Sequence, residues 1–251
     1  MGKRVVFDPG HGIETSGKCS PDKSYYEHEF NLDMGKRKKA ILERHGVEVI
    51  MTRTDEHDVS LERRVQIANA AKPDLFVSIH SNASGDGKTW TRPDGYGIYT
   101  SAAGATAARN IAAGKLISRA KEAGIKLWGN GLFHEAWYVC KNVTAPAILI
   151  EHGFHTNKAE TEKLKTDAYR QQLAVADCKG ILDYLGIQWQ EEPAKEPEKP
   201  TERPGTPWYA ADQEWAKAMG ISDGTRPEEN ITRAEVWAMT HNLYKAIKAG
   251  K

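Results

Sequence analysis

Residues 74–82 read DLFVSIHSN, an apolar run that ends in a histidine and two small polar residues. Short runs rich in Val and Ile and bounded by turn residues are typical of strands. Similar runs occur at residues 3–8, 47–52, 97–100, 137–140 and 147–151. We therefore predict six short strands within the first 190 residues.

Amphipathic stretches lie between these runs. Apolar side chains recur at helical spacing in residues 31–44, 61–71, 105–123 and 159–185. Alternation of strand and helix predicts a mixed or parallel sheet with helices on both faces, which is the α/β fold class. In such folds ligands bind at the carboxyl ends of the strands.

Three predicted strands end in residues that can hold a metal ion or move a proton. His11 lies in the DPGHG segment after the first strand, His80 follows the run that ends at Ile79, and Glu151 ends the last strand. A single histidine after a strand is more often a packing residue, so the prediction rests on the combination. A catalytic zinc ion typically has three protein ligands and one open position. The HExxH and paired CxxC spacings are absent from the sequence, so the ligands must come from distant segments.

Short motifs in these segments follow the order found in one enzyme family. They are FDPGHG at 7–12, EHEFNL at 27–32, TRTD at 52–55, SIHSN at 78–82, GYGIY at 95–99 and PAILIEHGF at 146–154. With these motifs, residues 1–187 resemble the zinc-dependent N-acetylmuramoyl-L-alanine amidases of the amidase-3 family. The resemblance implies an α/β domain with a mixed six-stranded sheet flanked by helices, and a single catalytic zinc ion.

The resemblance also implies roles for four residues. The zinc ligands would be His11, Glu27 and His80, and the catalytic carboxylate would be Glu151. Glu29 is the alternative ligand if the motif were read in another register, but the spacing to Asn31 favours Glu27. Two histidines and one carboxylate leave zinc with a net positive charge, which lowers the pKa of bound water to about 7. The nearby carboxylate can then take the proton of water and return it to the leaving amine.

Other candidate residues near these motifs receive weaker assignments. We expect His28 on the surface and His134 either at a pocket rim or on plain surface. His152 and His155 flank the end of the catalytic strand, and the family requires no histidine at either position, so substrate contact is their candidate role. The remaining histidines have no assignment; they are His45, His57 and His241.

Two arginines in the matched region, Arg53 and Arg64, carry a structural expectation. The planar guanidinium group binds carboxylate and carbonyl oxygen atoms in well-defined geometry. We therefore expect both arginines to stabilise the fold by pairing with such oxygen atoms, and we do not expect them to bind substrate.

The rest of the chain changes in composition at residue 190. Residues 190–206 read QEEPAKEPEKPTERPGT, and Pro-rich charged segments stay extended and solvated, so we predict a linker there. It would separate the zinc amidase domain, residues 1–189, from a small, mainly helical domain at 207–251. Residues 218–236, with a turn at 223–227, resemble one S-layer homology motif, whose family binds cell-wall polymers. The alternative is a helical hairpin whose aromatic side chains form its own core.

Composition excludes several classes of partner. The 35 Lys and Arg residues and 34 Asp and Glu residues give a net charge of +1, which indicates neither nucleic-acid binding nor an anionic membrane surface. No apolar run approaches the roughly 18–20 residues that span a bilayer, and no apolar signal segment follows Met1. Cys19, Cys140 and Cys178 are too scattered to indicate a disulfide framework or metal site. We expect a protein that is cytoplasmic on synthesis.

These observations favour a peptidoglycan hydrolase. The bond cleaved would be the amide between the lactyl group of N-acetylmuramic acid and the L-alanine of the stem peptide. A cytoplasmic enzyme with a cell-wall substrate suggests a phage or prophage endolysin that depends on a holin for release. The alternatives are a sporulation-type lytic amidase, a zinc carboxypeptidase acting on stem peptides, and a wall-binding module with a decayed zinc site. The last would require a missing ligand or carboxylate, and none is missing.

Overall fold

The computed structural model describes residues 2–101, 107–191, 210–221 and 233–248. The chain divides into two compact units, Met1–Trp189 and Gln190–Lys251. Each of the predicted catalytic residues lies in the first unit, whose centre is a six-stranded sheet.

The sheet is mixed, as the family resemblance implied. Its strands are β1 (Arg4–Pro9), β2 (Glu48–Met51), β3 (Leu75–Asn82), β4 (Tyr96–Thr100), β5 (Leu127–His134) and β6 (Ala147–Phe154). They lie in the order β2-β1-β3-β6-β4-β5. Strand β4 pairs antiparallel with β6, whereas the other neighbouring strands pair in parallel. The ends of β1, β3 and β6 therefore meet at one edge of the sheet.

Helices cover both faces of the sheet, which confirms the predicted layer order. They are α1 (Glu27–Arg44), α2 (Leu61–Ala71), α3 (Ala108–Glu122), α4 (Tyr138–Asn142), α5 (Lys158–Leu164) and α6 (Asp167–Leu185). Alternate side chains of β1 face two different hydrophobic cores, one on each side of the sheet. Val5 and Phe7 pack with residues of α1, α3 and α6, whereas Val6 packs with residues of α2 and α4. Each buried side chain of this size contributes about 1.5–3 kcal/mol.

The predicted strand at residues 137–140 was wrong. Trp137 precedes helix α4 and residues 138–140 form part of that helix, whereas the fifth strand is Leu127–His134. The sequence did not indicate this strand, because it contains Gly129 and Gly131, which are typical of turns. In the structure both lie in a bulge of the β4–β5 pairing, with φ values of 56° and 85°. A short apolar run such as 137–140 does not distinguish helix from strand by its pattern alone.

The predicted helix at 159–185 is two helices. Helix α5 ends at Leu164, and Thr166 begins α6 by accepting a hydrogen bond from the backbone N–H of Tyr169. Threonine is a favoured N-terminal cap because its hydroxyl group pairs with an otherwise unsatisfied N–H group. The helix predicted at 31–44 begins four residues earlier, so Glu27 is its first residue.

The second unit contains α7 (Ala210–Ala218) and α8 (Arg233–Lys248), which confirms a small helical region. Most of the predicted linker, Trp208, the turn at 223–227 and most of the S-layer-like motif lie outside the described residues. That motif and the linker therefore stay predictions. Within the described ranges, no helix combines the length and apolar character required to cross a membrane.

Candidate metal centre

His11 lies in the loop that follows β1. Its φ of 59° places it in the left-handed region, which costs a residue with a side chain of the order of 1–3 kcal/mol. Two backbone contacts restrain the loop: the Arg64 guanidinium donates to the carbonyl of His11 at 3.3 Å, and the N–H of Ile13 donates to the carbonyl of Glu56 at 2.8 Å. The strained backbone is therefore held in place by its surroundings.

Glu27 is the first residue of α1, and its side chain is buried. Its Oε1 accepts hydrogen bonds from the N–H of Ser81 at 3.2 Å and from Nδ2 of Asn31 at 3.4 Å. Asn31 also donates to the carbonyl of Gly10 at 3.1 Å, so it links the carboxylate to the His11 loop. The N-terminal turn of a helix favours a negative charge, which further stabilises the ionised carboxylate.

His11, Glu27 and His80 come together at the edge of the sheet. Their potential ligand atoms all lie within 4.8 Å of one another. Nε2 of His11 is 3.4 Å from Oε2 of Glu27, and Nδ1 of His80 is 3.0 Å from Oε1 of Glu27. Two ligand atoms that are each about 2.1 Å from a tetrahedral zinc ion lie about 3.4 Å apart. The donor types and their spacing therefore fit a zinc ion.

The charge states of these groups also suit a metal site. Burial lowers the pKa of His11 to about 4, although the negative charge of Glu27 opposes that shift. Burial by itself would raise the pKa of Glu27, but the hydrogen bond from His80 and the charges of the two histidines hold it well below its usual range. At neutral pH His11 is neutral and Glu27 is ionised. These are the protonation states that metal ligands require.

Glu151 lies beside this group of three. It is the direct partner of His80 in the pairing of β3 with β6, so the two side chains project from the same face of the sheet. Burial, followed by the nearby negative charge of Glu27, raises the pKa of Glu151 well above its ordinary value. Among the described residues, its buried Oε2 has no hydrogen-bond partner. Such an atom is available to accept a proton from a bound molecule.

Of the two residues that follow Glu27, Glu29 is exposed and His28 is buried. Glu29 is exposed on the outer side of α1, whereas Glu27 is buried against His80. The alternative register, with Glu29 as ligand, therefore has no geometric support. The expectation for His28 was wrong: it is buried in the first turn of α1, and its carbonyl accepts a hydrogen bond from the buried Arg53 at 2.8 Å.

The two arginines stabilise the backbone around the site, as expected. Arg64 binds Oδ1 of Asp8 at 2.7 Å and the carbonyl of Pro9 at 2.6 Å. Arg53 donates to the carbonyl groups of Pro9 and Gly10 at 3.3 and 3.4 Å. Both guanidinium groups are almost fully buried. They supply buried donors to the carbonyl groups at the end of β1 and at the start of the loop that follows it.

A buried ionic network behind the site was not predicted. Nζ of Lys38 lies 2.6 Å from Oδ2 of Asp177 and 2.9 Å from Nε2 of His152, and none of the three is accessible to solvent. Tyr96 donates a hydrogen bond to the other oxygen of Asp177 at 2.7 Å. Asp177 keeps a pKa well below its usual value, since the positive charge of Lys38 outweighs the effect of burial.

A hydrogen bond between the His152 ring and the backbone carbonyl of His80 connects this network to the site. Burial lowers the pKa of His152, so its ring is neutral at neutral pH. Nδ1 of this neutral ring lies 2.8 Å from the carbonyl of His80 and donates to it, while Nε2 accepts from Lys38. His152 therefore lies on the opposite face of β6 from Glu151 and does not reach the substrate side. Its role is to connect β6 with β3.

His155 is likewise buried. Its Nδ1 lies 3.0 Å from both the hydroxyl and the carbonyl oxygen of Ser81, and Tyr25 donates to the same hydroxyl at 2.8 Å. This cluster supports the end of β3 directly after His80. The proposed substrate contacts of His152 and His155 therefore have no support in their positions. His134 is exposed at the end of β5, which agrees with a surface or rim position.

Comparisons with known proteins place the first unit in a family. A model of the Amidase_3 family, described as N-acetylmuramoyl-L-alanine amidase, matches residues 5–183. The N-acetylmuramoyl-L-alanine amidase LytC of Bacillus subtilis (strain 168) is 32% identical over 184 residues, which are 73% of this chain but 36% of LytC. The chain thus spans about a third of that relative's length. The endolysin of Bacillus phage SPP1 is 34% identical over 194 residues, covering 75% of this chain and 68% of the endolysin.

Solved structures agree in fold. The catalytic domain of CwlV, an N-acetylmuramoyl-L-alanine amidase from Bacillus (Paenibacillus) polymyxa var. colistinus, matches with a TM-score of 0.66 and 30% identity over 74% of this chain and 99% of that domain. An N-acetylmuramoyl-L-alanine amidase from Clostridium difficile 630 matches with a TM-score of 0.67 and 28% identity over 74% of this chain and 97% of that one.

Proposed function

Since the chain belongs to the Amidase_3 family of N-acetylmuramoyl-L-alanine amidases, we propose that it cleaves the amide bond between N-acetylmuramic acid and the L-alanine of the peptidoglycan stem peptide. One observation of this chain carries the proposal. His11, Glu27 and His80 converge at the edge of the sheet, and Glu151 lies next to them with a buried oxygen atom that has no partner among the described residues.

Zinc is the metal that this donor set fits. His11, Glu27 and His80 would hold it, and no fourth protein ligand joins them among the described residues. A bound zinc ion would polarise the scissile carbonyl group and lower the pKa of the attacking water. The chain's own contribution is to keep the His11 imidazole neutral and the Glu27 carboxylate ionised before binding.

Glu151 is the candidate general base and acid. Its carboxylate takes a proton from the attacking water and returns that proton to the amine of L-alanine as the amide bond breaks. A carboxyl group with a raised pKa is suited to both steps, because it retains the proton long enough to deliver it. Its Oε2 atom is buried and therefore shielded from bulk water, and the pairing of β3 with β6 fixes the position of Glu151 beside His80.

For the biological setting, the proposal is an endolysin. The 34% identity with the endolysin of Bacillus phage SPP1 supports it. Such an enzyme depends on a holin to reach the wall. Expression in a host with and without an inducible holin tests this, and lysis of equal speed in both cultures would contradict it.

For residues 207–251 the proposal is binding to a cell-wall polymer. It rests on the resemblance of residues 218–236 to an S-layer homology motif. The Pro-rich composition of 190–206 supports independent movement of the two units. Wall binding would raise the local concentration of the catalytic unit at its substrate.

Digestion of purified peptidoglycan followed by mass spectrometry tests the reaction itself. An amidase releases intact stem peptides with a free amino group on L-alanine and leaves lactyl groups on the glycan. A carboxypeptidase would instead shorten the stem peptide and leave it attached to muramic acid. Release of single D-amino acids with no free stem peptide would overturn the proposal.

A further inference from the structure

Residues on three neighbouring strands form a row beside the candidate site. Glu151 of β6 pairs with His80 on one side and with Gly97 of β4 on the other. Residues paired across strands project to the same face of a sheet, so all three positions lie on the face covered by α2 and α4. Because Gly97 has no side chain, the space above the sheet at its position is open to other groups.

Two aromatic rings occupy that space. A Cβ atom at Gly97 would lie 3.1 Å from Cε2 of Phe133 and 3.7 Å from Cε3 of Trp128. Neighbouring strands in a sheet are about 4.8 Å apart. The rings over Gly97 therefore lie one strand away from Glu151 and two strands away from His80, a distance of about 10 Å across the sheet. The aromatic surface thus begins directly beside the candidate catalytic carboxylate.

These rings belong to a larger aromatic cluster, which consists of Tyr99, Trp128, Phe133 and Trp137. Phe133 lies 4.5 Å from Trp128 and 5.2 Å from Tyr99 between ring centroids, and Trp137 meets Tyr99 edge-on at 6.2 Å. Tyr99 is nearly buried beneath the others, whereas Trp137 is 45% exposed. Trp128 and Phe133 are partly exposed. The cluster therefore combines a buried ring, Tyr99, with exposed ring surface.

The substrate has a group that fits this surface. The acyl side of the scissile amide bears a pyranose ring, which is joined through the three-carbon lactyl group, and the amine side bears the peptide. Pyranose rings present flat faces of C–H groups, which pack against the faces of aromatic rings. Aromatic and apolar surface beside a few polar groups is typical of ligand sites. A sugar joined by so short a spacer must lie within about 10 Å of the reacting carbonyl group.

We propose that the aromatic cluster binds the muramic acid ring of the glycan strand and so orients the lactyl amide toward Glu151. The inference rests on the proposed amidase function, and it assigns the glycan side of the substrate to the β4–β5 side of the site. Trp137 is the residue to test because its ring is exposed and its side chain makes no capping hydrogen bond to α4.

Two substrates with the same stem peptide separate sugar binding from catalysis. One is a soluble GlcNAc–MurNAc peptide, and the other is a lactyl peptide that has the same amide bond but no sugar. Trp137→Ala should lower kcat/KM about tenfold on the first and leave it unchanged on the second, since one aromatic contact is worth roughly tenfold in affinity. Trp137→Phe should restore most of the loss. Ile111→Ala, which removes an apolar side chain of the same 45% exposure from α3 on the opposite face, is the matched control.

Each outcome decides the proposal. Equal losses on both substrates would show that Trp137 is only structural, and no loss on either would show that the cluster does not bind the sugar; both results overturn it. If the wild-type chain cleaves neither substrate, the proposed amidase function fails instead. Titration calorimetry with a peptide-free GlcNAc–MurNAc disaccharide then still tests the cluster. Trp137→Ala should weaken that binding about tenfold, and unchanged binding would refute the proposal.

Discussion

Gly10 and His80 are in closer contact than any side chain at residue 10 would allow. A Cβ atom on Gly10 would lie 2.0 Å from Cε1 and 2.4 Å from Nε2 of the His80 ring. One candidate ligand therefore packs directly on the backbone of the loop that carries another. The positions of His11 and His80 depend on each other, and the missing side chain of Gly10 is what lets the two approach.

The first prediction concerns this contact. Gly10→Ala should displace the His80 ring and lower zinc affinity by tenfold or more, because ligand geometry in such sites is narrow. Zinc stoichiometry and affinity, measured by elemental analysis and competition with a chelator, check this. Gly114→Ala is the control, since a Cβ atom there meets nothing within 4 Å in helix α3. Full zinc affinity in Gly10→Ala would show that His80 is not a ligand.

The second prediction is zinc dependence. Chelation should abolish the hydrolysis of peptidoglycan, and added zinc should restore it. His80→Ala should lower the metal content markedly, because it removes one of three protein ligands. His57→Ala removes an exposed histidine that pairs with Glu14, and it should retain the metal. Stoichiometric zinc in His80→Ala would place the metal at other residues.

The third prediction separates proton transfer from metal binding. Glu151→Gln keeps the volume of the side chain but removes the proton acceptor, so turnover should fall by about 10²–10⁴. Zinc content and thermal stability should stay close to those of the wild type. Kinetics on soluble muropeptides and elemental analysis check both parts. Loss of zinc from this variant would make Glu151 a ligand, and another base would have to be sought.

The fourth prediction concerns the buried pair of Lys38 and Asp177. Asp177→Ala leaves the Lys38 charge unpaired in the core and should destabilise the first unit by about 3–5 kcal/mol. Urea unfolding measures this. The double variant Lys38→Met with Asp177→Leu should recover much of the loss, because it removes both charges. A double variant as unstable as Asp177→Ala would argue against the unpaired charge as the cause.

The same pair predicts a dependence on pH. The pKa of Asp177 is lowered on folding, so its stabilising contribution is complete above the unfolded value of about 3.9. The contribution is lost as pH falls through the lowered folded value. The difference in unfolding free energy between wild type and Asp177→Ala should therefore be constant from pH 7 to 5 and shrink below about pH 4. A difference that grows on acidification would contradict the assignment.

The fifth prediction concerns the tail. A chain that ends at Gln190 should fold and cleave soluble muropeptides normally, since all four site residues lie upstream. On intact walls it should bind and lyse more weakly, because tethering raises the local enzyme concentration. Co-sedimentation with sacculi and lysis rates at equal concentration check this. Full-length Glu151→Gln should bind sacculi without lysing them. Equal binding by the truncated chain would refute a targeting role.

The sequence motifs were sufficient to predict which residues meet at the site. His11, His80 and Glu151 each end or follow a predicted strand, and strand ends converge at one edge of such a sheet. In the structure β3 continues to Asn82 and β6 to Phe154, so His80 and Glu151 lie near the ends of these strands. Glu27 came from the family motif, and its burial at the start of α1 became visible only in the structure. Local patterns could not provide that information, because burial depends on which side of α1 faces β3.

The buried ionic network, in contrast, could not be predicted from the sequence. Lys38 lies in a helix rich in lysine and arginine, where each such residue resembles a solvent-exposed one in sequence. Its partner Asp177 is distant in sequence, in α6. Only the packing of α1 against α6 brings them together, and no local pattern encodes that pairing. For a similar reason the sequence placed His28 on the surface, whereas the strand predicted at residues 137–140 was wrong because a short apolar run fits helix and strand alike.

The network behind β6 also bears on how the enzyme should respond to ionic strength. Salt weakens attraction between charges that water and ions can reach, over a distance of about 8–10 Å under ordinary conditions. Lys38, Asp177 and His152 are closed off from solvent, so dissolved ions cannot screen them. The alignment of β6 with β3 should therefore be the same in dilute buffer and in strong brine.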